Sequence, residues 1–145
     1  MLEKMKDLVR MKDVCVLATV SEGQPHCSLM SYATDADCRE IYMVTGRETK
    51  KYRNLKENPA VSLLIDTREE DRGSQRHLAR SLTVNGRVEV VDDPDKKEWI
   101  KTRLLERHPH LKALMDDPDA EFFSVRIRSL QLLEGITDAT FLAVE

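Results

Sequence analysis

The sequence predicts a mainly β fold, an antiparallel barrel of six to seven strands with flanking helices. Strand-like runs rich in Val, Leu, Ile and Thr recur along the chain. Most are separated by short turns, which is the spacing of hairpins rather than of parallel βαβ units. Neither G-x-G-x-x-G nor G-x-x-x-x-G-K-[ST] occurs, so the two commonest phosphate-binding loops are excluded.

The length, charge and cysteine content of the chain limit the classes of protein to which it can belong. A chain of 145 residues is predicted to form one domain, 1–145, with a real hydrophobic core. The net charge of −3 and the pI near 5.9 argue against a nucleic-acid partner. No apolar run reaches the length of a transmembrane helix, and the first residues are too charged for a signal peptide. We therefore expect a cytoplasmic protein without a membrane partner. Its cysteines Cys15, Cys27 and Cys38 lack metal-type spacing and are expected to be buried thiols.

The first half of the chain predicts one helix and a series of strands. Leu2, Met5 and Leu8 share a helical face. The unbroken apolar run at 14–20 predicts a strand buried on both faces. A turn at 21–25 joins it to a second strand in a hairpin. The predicted elements are a helix over 2–11, strands over 14–20, about 26–34, 40–45 and 60–66, and a helix from the turn after Thr45 to about Glu57.

Residues 79–91 allow two interpretations. Asn85-Gly86 between alternating residues is a strong hairpin signal. Yet Leu82, Val84, Val88 and Val90 keep one parity straight through it. We therefore predict one long strand, with Gly86 at a bulge or a close backbone contact.

The last third predicts two helices and two strands. Asp92-Asp93-Pro94 is typical of a helix start, and Trp99, Ile100 and Leu104 supply its apolar face. Trp99 is expected in the core or at an interface between subunits. The predicted elements are this helix to His108-Pro109, a shorter helix containing Leu111, Leu114 and Met115, and strands over 121–133 and 138–144.

The segment Met43–Leu55 stands out as a candidate binding element. It reads as a strand end, a turn and the first turns of a helix, with four basic residues and two threonines. Thr45 and Glu48 fit the capping-box pattern. A helix N-terminus attracts anions through its free N–H groups and its dipole. We hypothesise a phosphate-binding site for a nucleotide cofactor; the alternative is a capped helix with a solvated basic face.

Three segments in order resemble the pyridoxamine 5′-phosphate oxidase-like, FMN-binding split-barrel family. Gln24–Met30 looks like the strand beside the flavin ring. Thr45–Lys51 looks like the phosphate segment T-x-x-x-S-R-K, and Asn58–Leu64 matches the following N-P-x-V-S-L-L strand. The resemblance covers nearly the whole chain in element order, and family members are homodimers with FMN in the groove between subunits.

The resemblance implies a role for nine residues. Ser28, Leu29 and Met30 would lie along the ring system, and Val44 and Thr45 would contact the flavin or the ribityl chain. The remaining implied contacts are the phosphate ligands Thr49, Lys50 and Lys51, and Ser81 in the place of a flavin-contacting glutamine.

Departures from the family pattern limit the implied activity. The oxidases carry R-x-V-L-L-K on the second strand, but Ser28–Ala33 contains neither Arg nor Lys. Their C-terminal substrate segment has no counterpart in Leu130–Glu145. We therefore expect not a pyridoxamine phosphate oxidase but an FMN-dependent oxidoreductase acting on an unidentified small molecule, in which the cofactor carries the chemistry. Two alternatives remain open: an F420-dependent reductase, and a non-catalytic flavin- or haem-binding stress-response protein.

Other reactive side chains receive structural interpretations. His108 and His110 lack a third ligand for a metal and are expected to be polar residues at a helix end. Cys27 is a possible redox thiol, but its apolar neighbours favour a buried one. Arg126 and Arg128 alternate outward on a late strand. We expect them on a solvated face, with binding of a substrate anion as the minority view.

Overall fold

The computed structural model describes residues 1–145 as four α-helices packed around one eight-stranded antiparallel sheet. The helices are α1 (Leu2–Met11), α2 (Lys50–Glu57), α3 (Pro94–Arg107) and α4 (Lys112–Asp116). The strands are β1 (Val14–Ser21), β2 (Gln24–Ser31), β3 (Ala33–Thr34), β4 (Glu40–Gly46), β5 (Ala60–Asp66), β6 (Arg80–Val90), β7 (Ala120–Glu134) and β8 (Asp138–Ala143). The predicted antiparallel barrel is confirmed, and the second predicted strand is divided at Tyr32. No helix is both long and apolar enough to span a membrane.

The strand order explains how the sheet becomes a split barrel. It runs β2-β1-β5-β6-β7-β4-β3, with β8 paired to the second half of β7. The two ends of this order are joined through the chain, because only Tyr32 separates β2 from β3. No strand pairing bridges β2 and β4. The chain itself connects the two ends of the sheet at Tyr32, but no strand pairing joins them. The barrel is therefore open along a seam between β2 and β4.

The first hairpin owes its geometry to a two-residue turn. Glu22 and Gly23 both have positive φ, 51° and 75°, as a type I′ turn requires. This turn sets the register in which Ser21 faces Gln24. The predicted hairpin is confirmed.

The barrel interior follows strand parity more strictly than the apolar run at 14–20 suggested. Cys15 and Leu17 point into the core, whereas Val14 is exposed and Val16 is half-buried. The prediction of a strand buried on both faces is therefore wrong for the single chain, because nothing in it covers the outer face. Cys27 lies on the same outer face, on β2 at one end of the strand order, and is exposed. The prediction that it is a buried thiol is also wrong.

The long strand through Gly86 is confirmed, with its bulge. Asn85 faces Ser129 while Gly86 faces Ile127, so Arg128 is the extra residue, and it belongs to β7. A Cβ on Gly86 would lie 2.5 Å from the carbonyl oxygen of Arg126. Only glycine allows the two backbones to approach this closely.

The helices after β6 pack on the outer face of β4 and form a second, smaller core. Asp93 accepts a hydrogen bond from the Lys96 N–H and caps α3, with Pro94 in its first turn, as predicted. Ile100 of α3 and Met115 of α4 pack with Val44 of β4. This second core places α4 against the part of β4, around Val44, that borders the seam.

Trp99 within α3 and His108 just after its C-terminal end differ in burial. Trp99 is 38% exposed and packs edge-on against Tyr42, so it does not belong to the core. His108 is buried at the end of α3, and its Nε2 lies 2.9 Å from the carbonyl oxygen of Tyr32. His108 thus has the helix-end role expected of it and ties α3 to the link between β2 and β3.

Candidate functional site

A groove lies along the open seam of the barrel. β2 supplies one wall and β4 the other, and residues of α2, of α4 and of the turn before α4 complete the lining of a cavity of about 350 Å³. Its lining residues are Leu29, Met30, Ser31, Val44, Thr45, Gly46, Thr49, Lys51, Leu111 and Leu114. A cavity of this size falls in the range of small-molecule sites.

The walls of the groove present unpaired strand edges. β2 pairs only with β1, and β4 pairs with β3 only at Ile41 and Tyr42. From Met43 to Gly46, β4 therefore has β7 on one side and no strand on the other. Edge N–H and C=O groups need partners, so the seam offers hydrogen-bonding backbone to a ligand. Val44 and Thr45 are only 5% and 3% exposed as whole residues, so each offers a ligand a small contact surface beside the unpaired edge of β4.

The helix that borders the groove begins later than predicted. Thr49 caps α2, and its side chain accepts a hydrogen bond from the Tyr52 N–H at 3.2 Å. The predicted capping box of Thr45 and Glu48 is wrong. Pairing with Glu121 of β7 keeps Thr45 within β4, and the chain leaves the strand only after Gly46.

The Thr49 hydroxyl is already fully used inside the protein. It donates to the carbonyl oxygen of Gly46 at 3.0 Å and lies 3.1 Å from the Thr45 hydroxyl. Since a hydroxyl has one proton and two acceptor positions, the Thr45 hydroxyl must donate to Thr49. Thr49 therefore positions the turn, although the resemblance implied a phosphate ligand.

The four basic residues of the segment divide into two pairs. Arg47 binds Glu121 at 2.9 Å and Asp119 at 3.4 Å, and the hydrogen bond that it donates to Glu121 raises the pKa of Arg47. Arg53 donates to the carbonyl oxygen of Glu48.

Lys50 and Lys51 have no carboxylate partner, and neither of their backbone N–H groups has an acceptor in the chain. Cationic side chains and free helix N–H groups thus point to the same turn.

The structure brings together six of the nine residues singled out from the sequence. Leu29, Met30, Val44, Thr45, Thr49 and Lys51 line the groove. Lys50 is exposed beside it, and Ser28 on β2 does not line it. Ser81 pairs with Asp66 of β5 and Leu133 of β7, well away from the seam of the same chain.

Four lining residues escaped sequence reasoning. Ser31 and Gly46 are the strand ends next to predicted residues. Leu111 and Leu114, whose apolar spacing did predict a helix, form an apolar wall of the same cavity as Leu29. Their place in the groove depends on the docking of α4 on β4, a contact between segments far apart in sequence.

Ion pairs hold the apolar wall of α4 in place. Asp116 accepts hydrogen bonds from Lys101 of α3 at 2.7 Å and from Lys112 at 2.8 Å. These bonds lower the pKa of Asp116 to about 2. In addition, the Arg47 N–H donates to the carbonyl oxygen of Asp119, so the loop after α4 is tied to the turn before α2.

Similarity to known proteins covers most of the chain. The family model described as pyridoxamine 5′-phosphate oxidase matches residues 1–134. General stress protein 26 of Bacillus subtilis (strain 168) is 28% identical over 133 residues, which cover 92% of this chain and 88% of that protein.

Solved structures show the same fold at low sequence identity. A haem-binding protein from Mycobacterium smegmatis superposes with a TM-score of 0.85 at 18% identity, over 97% of this chain. The chain spans only 57% of that protein. A FAD-binding protein from Mesorhizobium loti superposes with a TM-score of 0.71 at 21% identity, over 91% of each chain.

Proposed function

The chain belongs to the pyridoxamine 5′-phosphate oxidase family, and on this basis we propose that it is a flavin-dependent oxidoreductase that binds FMN in the groove between β2 and β4. The single observation that carries the proposal is the composition of this groove. Lys51 and the free N–H groups of α2 supply the polar part of its lining, and Leu29, Leu111 and Leu114 supply large apolar side chains.

The polar part of the lining fits a phosphate group. Lys51 supplies a full charge, and the N–H groups of Lys50 and Lys51 supply directed donors at the positive end of the helix dipole. Glu48 is exposed, and no ion pair draws its carboxylate to these lysines. A phosphate would therefore meet donors and positive charge, with Thr49 holding the turn in shape.

The apolar part of the lining fits an aromatic ring system. Leu29 is 76% exposed in the single chain, an unfavourable state for a large aliphatic side chain unless something covers it. The open edges of β2 and β4 can donate to and accept from polar atoms at the rim of a ring. FMN combines a phosphate with such a ring, and when bound it would supply hydride or electron transfer.

The protein side of the groove contains little that could act as an acid or base. Among the lining residues only Lys51 has an acidic or basic side chain. The chain would therefore bind and orient the cofactor, and the cofactor would carry the redox chemistry. Because Ser28–Ala33 lacks the basic residues of the oxidases, we propose an unidentified small molecule as substrate, not pyridoxamine phosphate.

The proposal includes a homodimer, because the outer face of the sheet around Leu29 and Phe141 lacks a partner. Cross-strand neighbours on the outer face form a single row across six strands. The row consists of Leu29, Val16, Leu64, Thr83, Gln131 and Phe141. It contains no charged residue, and both Leu29 and Phe141 at its ends are largely exposed. A second copy of the chain would bury this face and complete the groove, which begins at Leu29.

A non-catalytic role in cofactor binding is the second candidate. It is favoured by the absence of acid–base residues in the groove, and the similar proteins include a haem-binding protein and a general stress protein. Within this class the groove suits flavin better than haem, since its lining contains no His or Cys to ligate iron.

F420 remains the alternative redox cofactor because it also carries phosphate. We further propose a cytoplasmic location, for which three unpaired thiols are typical.

The test starts from the colour of the purified protein. A flavin absorption spectrum, release of FMN on denaturation and a calorimetric titration with FMN would support the proposal. Parallel titrations with F420 and haem separate the cofactors. Reduction of the bound flavin by a nicotinamide cofactor separates an enzyme from a binder. A colourless protein that shows no heat of binding with FMN would contradict the proposal.

A further inference from the structure

A second cavity lies at the opposite end of β4 from the groove, about 20 Å away along the strand. It has a volume of about 400 Å³ and lies between α1, the residues just before β4, the middle of β7, and the end of β8 with the two residues after it. Its floor is apolar and includes Leu2, Ile127 and Leu130. No residue of this cavity also lines the groove.

The rim of this cavity carries an excess of positive charge. Lys6, Arg39 and Arg126 are its cations, and Glu145 is its single acidic residue. Neither Lys6 nor Arg39 forms an ion pair, whereas Arg126 pairs with Glu145. In a protein of net charge −3, such a concentration of unpaired cations favours an anionic ligand.

One carboxylate of the chain already occupies the positive rim. Glu145 accepts from the Nε of Arg126 at 3.2 Å, and its other oxygen lies 3.5 Å from the Nε of Arg128. The N–H of Val144 donates to the carbonyl oxygen of Arg128 at 2.9 Å, which holds this segment along β7. The two arginines thus converge on a single carboxylate group.

The β-bulge makes this convergence possible. Arg128 is the extra residue opposite Asn85 and Gly86, so it lies on the same outer face as Arg126 without a partner on β6. Arg87 faces Arg126 directly across the ladder, a like-charge pair that an anion would relieve. Glu40, the neighbour of Arg126 on β4, is held by Tyr42 and Lys96 instead.

We propose that this cavity is a second binding site, for a small molecule with an apolar body and one carboxylate group. The body lies on Leu2, Ile127 and Leu130, and the carboxylate takes the place of the Glu145 side chain beside Arg126. Arg128 does not line the cavity but lies 3.5 Å from the same carboxylate position. Glu145 is then an internal competitor that leaves when the ligand binds. The site is separate from the flavin groove and does not depend on flavin binding.

The exposure of the charged groups sets the expected affinity. The side chains of Arg126 and Arg128 are 60% and 52% exposed, so solvent screens each contact. An exposed ion pair changes a binding constant by at most about fivefold. The ligand therefore binds weakly, and nuclear magnetic resonance titration suits it better than calorimetry.

Octanoate and acetate are the two probes, titrated into the ¹⁵N-labelled full chain. Octanoate carries the carboxylate and an apolar body, and acetate carries the carboxylate alone. We expect octanoate to shift the amides of Arg126, Ile127 and Val144 in a saturable way, and acetate to do so only at far higher concentration.

Two substitutions should change octanoate affinity in opposite directions. Glu145→Gln removes the competitor and should tighten binding about fivefold, whereas Arg126→Gln should weaken it by a similar factor. Arg72→Gln, at an exposed arginine outside the cavity, is the control and should change nothing. All three positions are exposed, and circular dichroism checks that each variant folds.

Three results would overturn this proposal. The first is no saturable shift with octanoate in either the wild type or Glu145→Gln. The second is equal affinity for acetate, which would remove the apolar floor from the site. The third is loss of FMN affinity in Arg126→Gln, which would show that this cavity and the groove form one binding site. Failure of FMN binding in the wild-type protein would leave the octanoate result unaffected.

Discussion

The hydroxyl oxygens of Thr45 and Thr49 lie 3.1 Å apart and join the end of β4 to the start of α2. Thr49 also caps the helix and donates to Gly46, so one side chain fixes both sides of the turn. The lysine and the N–H groups proposed to bind phosphate follow directly on this helix. Their positions therefore depend on a hydroxyl that itself has no bonding capacity left for a ligand.

Loss of this hydroxyl should lower the stability of the protein. We expect Thr49→Ala to reduce the free energy of unfolding by about 1 kcal/mol, the usual contribution of a helix N-cap. Thr49→Ser keeps the cap and should retain most of the stability. Urea unfolding followed by circular dichroism measures both variants. Equal stability of Thr49→Ala and the wild type would show that the cap contributes nothing.

Lys51 should matter for the cofactor and not for the fold. We expect Lys51→Ala to weaken FMN binding by about 1.5–3 kcal/mol, the range for hydrogen bonds to charged groups. The matched control is Lys56→Ala, an exposed lysine on the same helix that does not line the groove. Calorimetric titration with FMN measures both. If the two variants bind FMN equally well, Lys51 is not part of the site.

Gly86 is the position where the fold should tolerate substitution least. A Cβ there would lie 2.5 Å from the backbone oxygen of Arg126 and 2.7 Å from a methyl group of Val125. We expect Gly86→Ala to cost about 1–3 kcal/mol through overpacking.

Gly46 provides the comparison for Gly86. It has no positive φ, and a Cβ there would meet only the Thr49 methyl group at 3.8 Å. Gly46→Ala should therefore leave the unfolding free energy nearly unchanged in the same urea experiment. A Gly86→Ala protein as stable as Gly46→Ala would mean that β6 and β7 can separate at the bulge without cost.

The sequence predicted elements whose cause is local and missed details that depend on pairing. The constant parity of Leu82, Val84 and Val88 predicted one strand through Gly86. That the extra residue is Arg128 could not be read from the sequence, because a bulge is defined by two strands together. Similarly, both threonines of the turn are good caps. Only the pairing of β4 with β7, which extends to Gly46, decides that Thr49 is the one used.

The candidate site was predictable where it follows from a continuous segment. Lys51, Thr49 and Thr45 lie within one turn, and the structure places all three at the groove. Leu111 and Leu114 are some sixty residues further on, and their contact with the groove results from the packing of the second core on β4. Cys27 was misassigned for a related reason, because its exposure depends on the position of β2 at the end of the strand order.

The proposed homodimer should depend on the outer row of the sheet. Phe141 lies at one end of this row and is 61% exposed, so Phe141→Glu should not disturb the core. It would place a charge in the interface, and we expect it to shift the protein toward monomers. The matched control is Ile136→Glu, since Ile136 is 86% exposed in the turn before β8 and lies outside the row. Sedimentation velocity measures the association state; a wild type that sediments as a monomer would contradict the dimer.

Cys15 should make the protein sensitive to high pH. Burial raises the pKa of this thiol from 9.0 to about 12, so the folded state favours the neutral form. The unfolded chain loses the proton first, and the contribution to stability is complete below pH 9 and declines as the pH rises from 9 to about 12. The decline should approach about 1.4 kcal/mol per pH unit. Urea unfolding at several alkaline pH values measures this decline in the free energy of unfolding. In Cys15→Ala the decline should be smaller, because alanine has no titrating group at this position. Parallel pH profiles for the two proteins would show that Cys15 ionises as readily in the fold as in the unfolded chain.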